Sequence, residues 1–325
     1  MKVSVIVPVY NVEDYLGRCL DSLINQTFSD YEIICINDCS PDNSADILRD
    51  YQLEHPDLIK VYHNEENMGL GKTRDKALTF AKGDYILFID SDDYVKNDYI
   101  SNYTKALNDG DYDIIIGGYI RDASDKKTTQ LPSNSVWSTV TYPMAWAKLF
   151  KKSFITSNNL EFTQVACGED IYFSLSAYYC GAQTKVIDYA GYYYYYNRDS
   201  ILGSMNYKKS QERIMSKLFS TFLENYNLDA LPEEKRRVIE YTYLANMINA
   251  LFVFNRGCGV QLMKEKLAFV RRDLQEKFPD YKSNPYIGLL KPKGQTLKIR
   301  LGVGATMFLK KIHLDALPFY LSALL

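Results

Sequence analysis

Several features that would place a chain in a particular class are missing from this sequence of 325 residues. Its six cysteines form no C-x-x-C pair and its three histidines lie apart from them, so a zinc site is not expected. No segment reaches the roughly 18 apolar residues of a membrane span. The apolar segment Val3–Val9 is short and contains Pro8, unlike a leader peptide. The formal net charge of −2 offers nucleic acid no basic field. We therefore expect a cytoplasmic globular protein that does not bind nucleic acid.

The densest chemical signal is the segment GDYILFIDSDDY at Gly83–Tyr94. Its apolar part, Tyr85–Ile89, has the length and composition of a strand, and it ends in Asp90, Asp92 and Asp93. Acids that directly follow a strand lie at the carboxyl edge of a sheet, where open α/β sheets bind ligands. Asp90 and Asp92 are separated by one residue and can face a single Mg²⁺ or Mn²⁺ ion. A polar turn that caps the next helix is the alternative interpretation.

Two earlier apolar segments also end in polar residues. Val3–Asn11 is apolar up to Tyr10 apart from Ser4 and does not alternate, which predicts a buried parallel strand whose pairing Pro8 should end. Glu32–Ile36 is a second strand, and Asp38 follows it closely. With a third strand at residues 59–63 and helices between them, the pattern predicts an α/β protein with a doubly wound, mostly parallel sheet.

Two nucleotide-binding motifs are incomplete. The letters GKT at Gly71–Thr73 match the end of a P-loop, but the glycine required five residues earlier is Glu66. No G-x-G-x-x-G follows the first strand, so a dinucleotide-binding Rossmann fold loses its main support. A helix beginning near Gly71 and ending near Ala81 is expected instead.

The middle of the chain predicts further parts of the sheet. Residues 112–119 form an apolar strand, 122–136 a polar loop, and 145–155 a helix or turn. The tyrosine run at 192–196 alternates like a strand.

Seven short motifs occur in a fixed order along about the first 200 residues. They are SVIVPVYN at Ser4–Asn11, N-D-x-S at Asn37–Ser40, N-x-G at Asn67–Gly69, FIDSDD at Phe88–Asp93, WAKLFKKSF at Trp146–Phe154, GEDIYF at Gly168–Phe173 and YYYYNRDSI at Tyr193–Ile201. Each motif is weak alone, but the ordered set resembles glycosyltransferase family 2, the inverting nucleotide-sugar transferases with the GT-A fold.

The resemblance implies a UDP-sugar site at the strand ends. Asp38 would accept the imide N–H of uracil, Asp92 would hold the metal ion that bridges the two phosphates, and Arg198 would contact the diphosphate. The family's usual A-R-N is Thr73-Arg74-Asp75 here, which leaves the role of Asp75 open. The residues implied to bind the nucleotide-sugar are Pro8, Tyr10, Asn11, Asp38, Asn67, Gly69, Arg74, Asp90, Ser91, Asp92 and Arg198.

The resemblance also implies a catalytic residue and a pocket for the acceptor. Asp170 would be the general base, because an inverting displacement needs a carboxylate that takes the proton of the attacking hydroxyl. Paired acids at a helix start are otherwise common dipole partners, and Trp146 is equally compatible with packing in the core. The residues implied to line the sugar and acceptor pocket are Asp93, Trp146, Lys148 and Glu169.

The last third of the chain has a different pattern. We expect a catalytic domain over residues 1–208, divided at 119 and 120 into a nucleotide-sugar half and an acceptor half, and a helical region over 209–325. Between Lys282 and Leu314 there are basic residues and no acid, and Leu297, Leu301 and Phe308 fall on one helical face. A subunit interface, membrane-surface docking and packing on the chain's own body are three interpretations of this tail, and a homo-oligomer is slightly favoured over membrane contact.

Taken together, the sequence predicts an inverting, Mn²⁺- or Mg²⁺-dependent transferase that moves glucose or galactose from a UDP-sugar. The acceptor would be a glycan on a polysaccharide precursor, a lipid carrier or a glycoprotein. Two alternatives are a non-catalytic UDP-sugar-binding subunit, against which Asp92 and Asp170 argue, and a nucleotidyltransferase. The latter predicts a glycine-rich loop after the first strand, where the sequence reads VPVYNVEDY.

Overall fold

The structure is a computed structural model that describes residues 2–123, 126–133, 137–163, 165, 167–195 and 210–325. Internal contacts divide the chain into two compact units. The first unit comprises Met1–Gln164 with Glu169–Asn197, and the second comprises Val165–Gly168 with Arg198–Leu325. The division of a catalytic domain at residues 119 and 208 remains a prediction.

Parallel strands alternate with helices at the start of the first unit, as the sequence predicts. The strands are β1 (Val3–Val9), β2 (Tyr31–Asn37), β3 (Ile59–His63) and β4 (Tyr85–Phe88), and the helices between them are α1 (Glu13–Ile24), α2 (Ser44–Glu54) and α3 (Leu70–Phe80). The spatial order is β3-β2-β1-β4, and all three pairings are parallel. Every residue of β1 is buried, which explains why the strand is apolar at every position except Ser4.

The expectation that Pro8 ends the pairing of β1 is wrong. Parallel pairing with β2 continues to Val9, whose carbonyl accepts a hydrogen bond of 2.8 Å from the backbone N–H of Asp38. The carbonyl of Ile6 faces the other way and accepts from the N–H of Ile89 at 3.0 Å. Because alternate residues of a strand bond to opposite neighbours, Pro8 shares the orientation of Ile6. Its missing N–H faces the side where pairing with β4 has already ended.

The second half of the sheet is mixed. Its strands are β5 (Tyr94–Val95), β6 (Ile114–Ala123), β7 (Lys126–Gln130), β8 (Lys148–Lys151) and β9 (Thr184–Tyr195), and its helices are α4 (Tyr99–Lys105), α5 (Ser138–Thr141), α6 (Lys152–Ser157) and α7 (Glu169–Tyr179). The strand order continues as β4-β8-β6-β9-β5, and β7 pairs with β6. β9 confirms the strand expected from the tyrosine run.

One local expectation for this half is wrong, and a second is only partly right. The region expected to be a loop contains β7, a polar edge strand whose residues are mostly exposed. Backbone hydrogen bonds to β6 hold this strand, so its side chains need not alternate between apolar and polar residues. The region expected to be a helix or turn contains β8, which lies between β4 and β6, followed by the start of α6. A strand of four residues is too short for its periodicity to be distinguished from that of a helix.

Apolar side chains cover both faces of the sheet. Val3, Val5 and Val7 of β1 belong to one buried cluster together with Leu16 of α1. Ile6 points to the opposite face and belongs to a second cluster, which includes Ala77 and Phe88. Because successive strand residues alternate between faces, one strand contributes to both layers, as in doubly wound α/β proteins.

The second unit is helical over the residues that the structure describes. Its helices are α8 (Gln211–Asn225), α9 (Glu233–Val253), α10 (Val260–Lys277), α11 (Leu297–Lys311) and α12 (Leu317–Leu324). A buried ion pair joins α8 to α10, with 2.8 Å between Glu212 Oε1 and Lys266 Nζ. None of the described helices combines the length and the apolar character needed to cross a membrane.

We predict that Gly83→Ala destabilises the first unit by about 1–3 kcal/mol, the usual cost of overpacking. A Cβ atom at this position would lie 2.6 Å from the backbone nitrogen of Ser4 and 2.8 Å from the carbonyl of Lys2. Gly17→Ala, in α1, is the control, since its Cβ would come no closer than 3.6 Å to the Tyr51 hydroxyl. Urea unfolding followed by tryptophan fluorescence measures both variants, because both tryptophans are in the first unit. Equal midpoints would contradict the predicted clash.

Candidate active site

The polar residues after β1, β2 and β4 meet at one edge of the sheet. These strands are neighbours in parallel pairing, so their carboxyl ends lie side by side. The backbone N–H of Asn11 donates to Ser40 Oγ at 3.3 Å, which links the turns after β1 and β2. Tyr10 is 47% exposed, and Asn11 has a left-handed backbone conformation with φ 54°. The predicted juxtaposition of these strand ends is present.

Asp38 fixes the loop that precedes α3. Its Oδ1 accepts hydrogen bonds from Asn64 Nδ2 at 2.7 Å and from the N–H of Met68 at 2.8 Å. Its Oδ2 accepts from the N–H of Gly69 at 2.9 Å, and Asn67 Oδ1 accepts from the same N–H at 3.0 Å. Gly69 has φ 83°, a conformation that favours glycine. Asp38 is buried, and these three hydrogen bonds use most of the about four acceptor positions of a carboxylate.

Arg74 joins two carboxylates that are far apart in the sequence. Its side chain is fully buried, with 2.5 Å between Nη2 and Asp90 Oδ1 and 2.7 Å between Nη1 and Asp170 Oδ1. The guanidinium carbon lies 5.9 Å from the ring centre of Phe88 and 5.2 Å from that of Phe162. Because an arginine stays charged when buried, this position requires both carboxylates. The two ion pairs place Asp170, the predicted base, next to the predicted donor site.

The acids after β4 have different partners. Burial raises the pKa of Asp90, and the Arg74 guanidinium opposes this shift. Asp93 accepts hydrogen bonds from the Tyr192 hydroxyl at 2.5 Å and from the N–H of Tyr195 at 2.8 Å. Burial, followed by repulsion from the other acids of this loop, raises the pKa of Asp93 well above its ordinary value. Asp93 therefore fastens the loop to β9, and the prediction that it lines the sugar pocket remains untested.

The carboxylates after β4 suit a cation that is also bound by a diphosphate. Among the residues that the structure describes, no three side chains of the metal-ligating types form a complete cage. A Mg²⁺ or Mn²⁺ ion that also binds substrate phosphates needs only one or two protein carboxylates. The sequence predicts that the carboxylate of Asp92 holds such an ion, while Asp90 contacts Arg74 and Asp93 contacts Tyr192 of β9. Ser91, between Asp90 and Asp92 in the sequence, is buried.

Asp170 lies in the first turn of α7, one turn before a buried lysine contact. Lys148 of β8 is 1% exposed, and its Nζ donates to Ser174 Oγ at 3.1 Å. Ser174 in turn donates to the carbonyl of Pro143 at 2.7 Å. Burial lowers the pKa of Lys148 to about 7, and the negative charge of Asp170 opposes this shift. The charge of Asp170 thus acts on a lysine that is almost fully buried, and the role of Lys148 in the acceptor pocket stays a prediction. Glu169 is the first residue of the helix.

Trp146 is part of an aromatic stack. Its ring centre lies 4.5 Å from that of Tyr192 and 5.5 Å from that of Tyr194, in nearly parallel planes. The edge of Tyr119 completes the contact at 5.0 Å. Trp146 is only 7% exposed, so its packing role is clear, and a role in the sugar pocket remains a prediction. The stack supports Tyr192, which holds Asp93.

Some residues of this site were not predicted. Arg18 of α1 donates from Nη2 to the carbonyl of Asp92 at 2.9 Å and lies over the rings of Tyr94 and Tyr195. The sequence indicated only that Arg18 lies in a helix and Tyr192 in a strand. Their roles in the site could not be predicted, because their contacts are with residues more than 70 positions away. The predicted diphosphate ligand Arg198 lies outside the described residues.

Polar residues from three neighbouring strand ends thus meet at one edge of an α/β sheet, and comparisons with known proteins identify the family. The family model for glycosyl transferase family 2 matches residues 4–163. The uncharacterized glycosyltransferase EpsJ of Bacillus subtilis is 32% identical over 242 residues, which cover 69% of this chain and 70% of EpsJ. The chain belongs to glycosyltransferase family 2.

Longer relatives and solved structures extend the comparison. A poly(ribitol-phosphate) beta-glucosyltransferase of Bacillus spizizenii is 34% identical over 277 residues, 81% of this chain but only 42% of that protein. The crystal structure of Staphylococcus aureus TarS 1-349 superposes with a TM-score of 0.70 at 22% identity, covering 96% of this chain and 92% of that one. A mannosyltransferase of Pyrobaculum calidifontis, in complex with GDP-Man and Mn²⁺, gives a TM-score of 0.57 at 15% identity, covering 99% and 85%. The GT-A fold is therefore confirmed.

Asp75 provides a pH-dependent test of the local electrostatics. Its carboxylate accepts hydrogen bonds of 3.0 and 3.2 Å from the N–H of Phe162. Burial, reinforced by Glu161 and opposed by that hydrogen bond and Arg74, raises the pKa of Asp75 from 3.8 to about 7. Because the folded-state pKa is the higher one, ionisation favours the unfolded chain, and stability is lost as the pH rises from 3.8 through about 7.

We predict that Asp75→Asn removes this loss, since an asparagine oxygen can still accept from Phe162 N–H. In urea unfolding followed by tryptophan fluorescence, the variant should gain stability relative to the parent between about pH 5 and pH 8. Asp46→Asn is the control, because Asp46 is exposed on α2 and pairs only at the surface with Arg49. A difference between Asp75→Asn and parent that does not change with pH would contradict the assignment.

Proposed function

We propose that this chain catalyses inverting transfer of a hexose, glucose or galactose, from a UDP-sugar to a hydroxyl group of a growing glycan. The observation that carries the proposal is the buried Arg74, which contacts both Asp90 at the nucleotide edge and Asp170 at the start of α7. One relative is named a beta-glucosyltransferase, and the fold neighbour TarS was solved with UDP and with UDP-GlcNAc. The glycan would be on a polysaccharide precursor, a lipid carrier or a glycoprotein.

Donor binding would use the edge formed by β1, β2 and β4. The exposed ring of Tyr10 suits the π-face of a uracil, and the Asp38 carboxylate would accept the one imide N–H of that base. The loop that Asp38 fixes would contact the nucleotide through Asn67 and Gly69. Asp90 would accept from the ribose hydroxyls beside its ion pair with Arg74. Pro8 and Asn11 flank the same edge.

Asp92 would hold a Mn²⁺ or Mg²⁺ ion shared with the diphosphate. When bound, such an ion offsets the negative charge that grows on the departing UDP. The contact from Arg18 to the Asp92 carbonyl, and those from β9 to Asp93, would keep this loop in place when the highly charged donor binds. Preorganisation of this kind avoids reorganisation at the moment of reaction.

The transfer step follows from the position of Asp170. Its carboxylate would take the proton of the acceptor hydroxyl while that oxygen attacks the anomeric carbon. The new C–O bond forms as the bond from the anomeric carbon to the UDP oxygen breaks, and both electrons of that bond leave with UDP. Attack opposite to the leaving group converts an α-linked donor into a β-linked product. Arg74 contacts Oδ1 of Asp170, so Oδ2 is the atom that we assign to the proton transfer.

We predict that Asp170→Asn lowers the transfer rate by about 10²–10⁴-fold, the usual contribution of a general base. UDP binding in the presence of Mn²⁺, measured by calorimetry, should stay within a few-fold of the parent, because Asp170 contributes no nucleotide contact in this proposal. Asp188→Asn, at an exposed position of β9, is the matched control and should retain both properties. Rates are measured as UDP release with UDP-glucose, UDP-galactose and UDP-GlcNAc, with the glycan acceptor present.

Two outcomes would count against the proposal. Near-parental transfer by Asp170→Asn would exclude Asp170 as the base. Absence of UDP binding by the parent, with Mn²⁺ and with chelator alike, would remove the uridine assignment that rests on Asp38.

A further inference from the structure

Large apolar side chains are exposed along α11. Leu297, Leu301, Phe308 and Ile312 have exposed fractions of 55%, 44%, 64% and 52%. With 3.6 residues per helical turn, these four positions fall within about 60° of one another around the helix axis. Leu297, Leu301 and Phe308 of α11, with Ile312 directly after the helix, form the apolar face that we call the α11 stripe. Exposed apolar clusters of this kind mark interaction sites more often than isolated apolar residues do.

The opposite face of α11 already has its partners. Val303 and Met307 are buried, and α11 packs against α9 within the second unit. The α11 stripe is therefore the exposed face of a helix whose opposite face packs against α9. Apolar exposure continues after α11 at Leu314, Leu317, Leu321 and Leu324.

Positive charge borders the α11 stripe. Lys298 and Lys311 are exposed and lie on either side of it around the helix axis. The nearest acid along the chain, Asp315, is buried and pairs with Arg271 at 2.9 Å and with Lys310 at 3.7 Å. Residues 281–314 contain no acid, and their basic residues are Lys282, Lys291, Lys293, Lys298, Arg300, Lys310 and Lys311.

We propose that the α11 stripe binds the surface of a bilayer that contains anionic phospholipids. An amphipathic helix with an apolar stripe and flanking lysines lies in the plane of the interface, with its apolar side chains among the acyl chains and its ammonium groups at the lipid phosphates. A second copy of this chain fits less well. A two-fold contact between stripes would bring Lys298 and Lys311 of one copy towards the same lysines of the other, and no acid of this segment would compensate.

Charge complementarity thus selects the anionic lipid surface over the subunit interface that the sequence slightly favoured. An enzyme held at a membrane meets acceptors that are attached to lipid. The proposal does not depend on the transferase activity, because no residue of the candidate active site takes part in it.

The test is flotation of the full chain with vesicles of phosphatidylcholine alone and of phosphatidylcholine mixed with phosphatidylglycerol. We expect flotation with the anionic vesicles, weakened by salt, and little with the neutral ones. Leu301→Glu combined with Phe308→Glu should abolish flotation. Lys298→Glu combined with Lys311→Glu should lower the partition coefficient by more than about tenfold, since each basic residue near an anionic surface contributes roughly fivefold.

Leu53→Glu is the control, because Leu53 is 72% exposed on α2, in the first unit, and should float like the parent. The parent and the Leu301→Glu/Phe308→Glu variant are also compared by sedimentation equilibrium. Failure of the parent to float with anionic vesicles would overturn the proposal. Equal flotation with both kinds of vesicle would overturn the role of charge. A parent oligomer that this variant dissociates, with flotation unchanged, would assign the α11 stripe to a second copy instead.

Discussion

The buried guanidinium of Arg74 is the constraint on which the active site depends. It cannot lose its charge, and taking it out of water is costly unless carboxylates surround it. Asp90 and Asp170 meet that requirement, and the rings of Phe88 and Phe162 enclose the rest of the group. The end of β4, α3 and the start of α7 are therefore held together by charge as well as by packing. The same contacts that stabilise these segments place the proposed base beside the proposed nucleotide site.

The sequence predicted the parts of this arrangement that depend on neighbouring residues. Apolar segments that end in Asp38 and in Asp90 could be recognised as strands with functional carboxyl ends, because strand burial and alternation leave a local pattern. The pairing of Arg74 with Asp170 could not, since 96 residues separate them. The pairing around Pro8 was missed for a similar reason: which neighbour a strand residue bonds to is decided by the sheet, not by the residue.

In the middle and at the end of the chain, too, local patterns could be predicted and long-range contacts could not. The strand containing Lys148 has too few residues for a periodic signal, and the burial of Trp146 depends on tyrosines some 46 residues further along. In the last third, the absence of acids and the helical spacing of apolar residues were visible in the sequence. Which face of α11 is buried against α9 required the structure, and that information turned three interpretations of the tail into one proposal.

The most direct test of the central role of Arg74 is a double-mutant cycle on kcat at saturating donor, with Arg74→Lys and Asp170→Asn alone and combined. Lysine keeps the charge, but its single nitrogen cannot replace the two guanidinium nitrogens that contact two different carboxylates. If Arg74 acts by orienting Asp170, each single variant lowers kcat and the combined variant is about as slow as Asp170→Asn alone. Losses that multiply in the combined variant would show that Arg74 acts independently of Asp170, and would contradict its role in positioning the base.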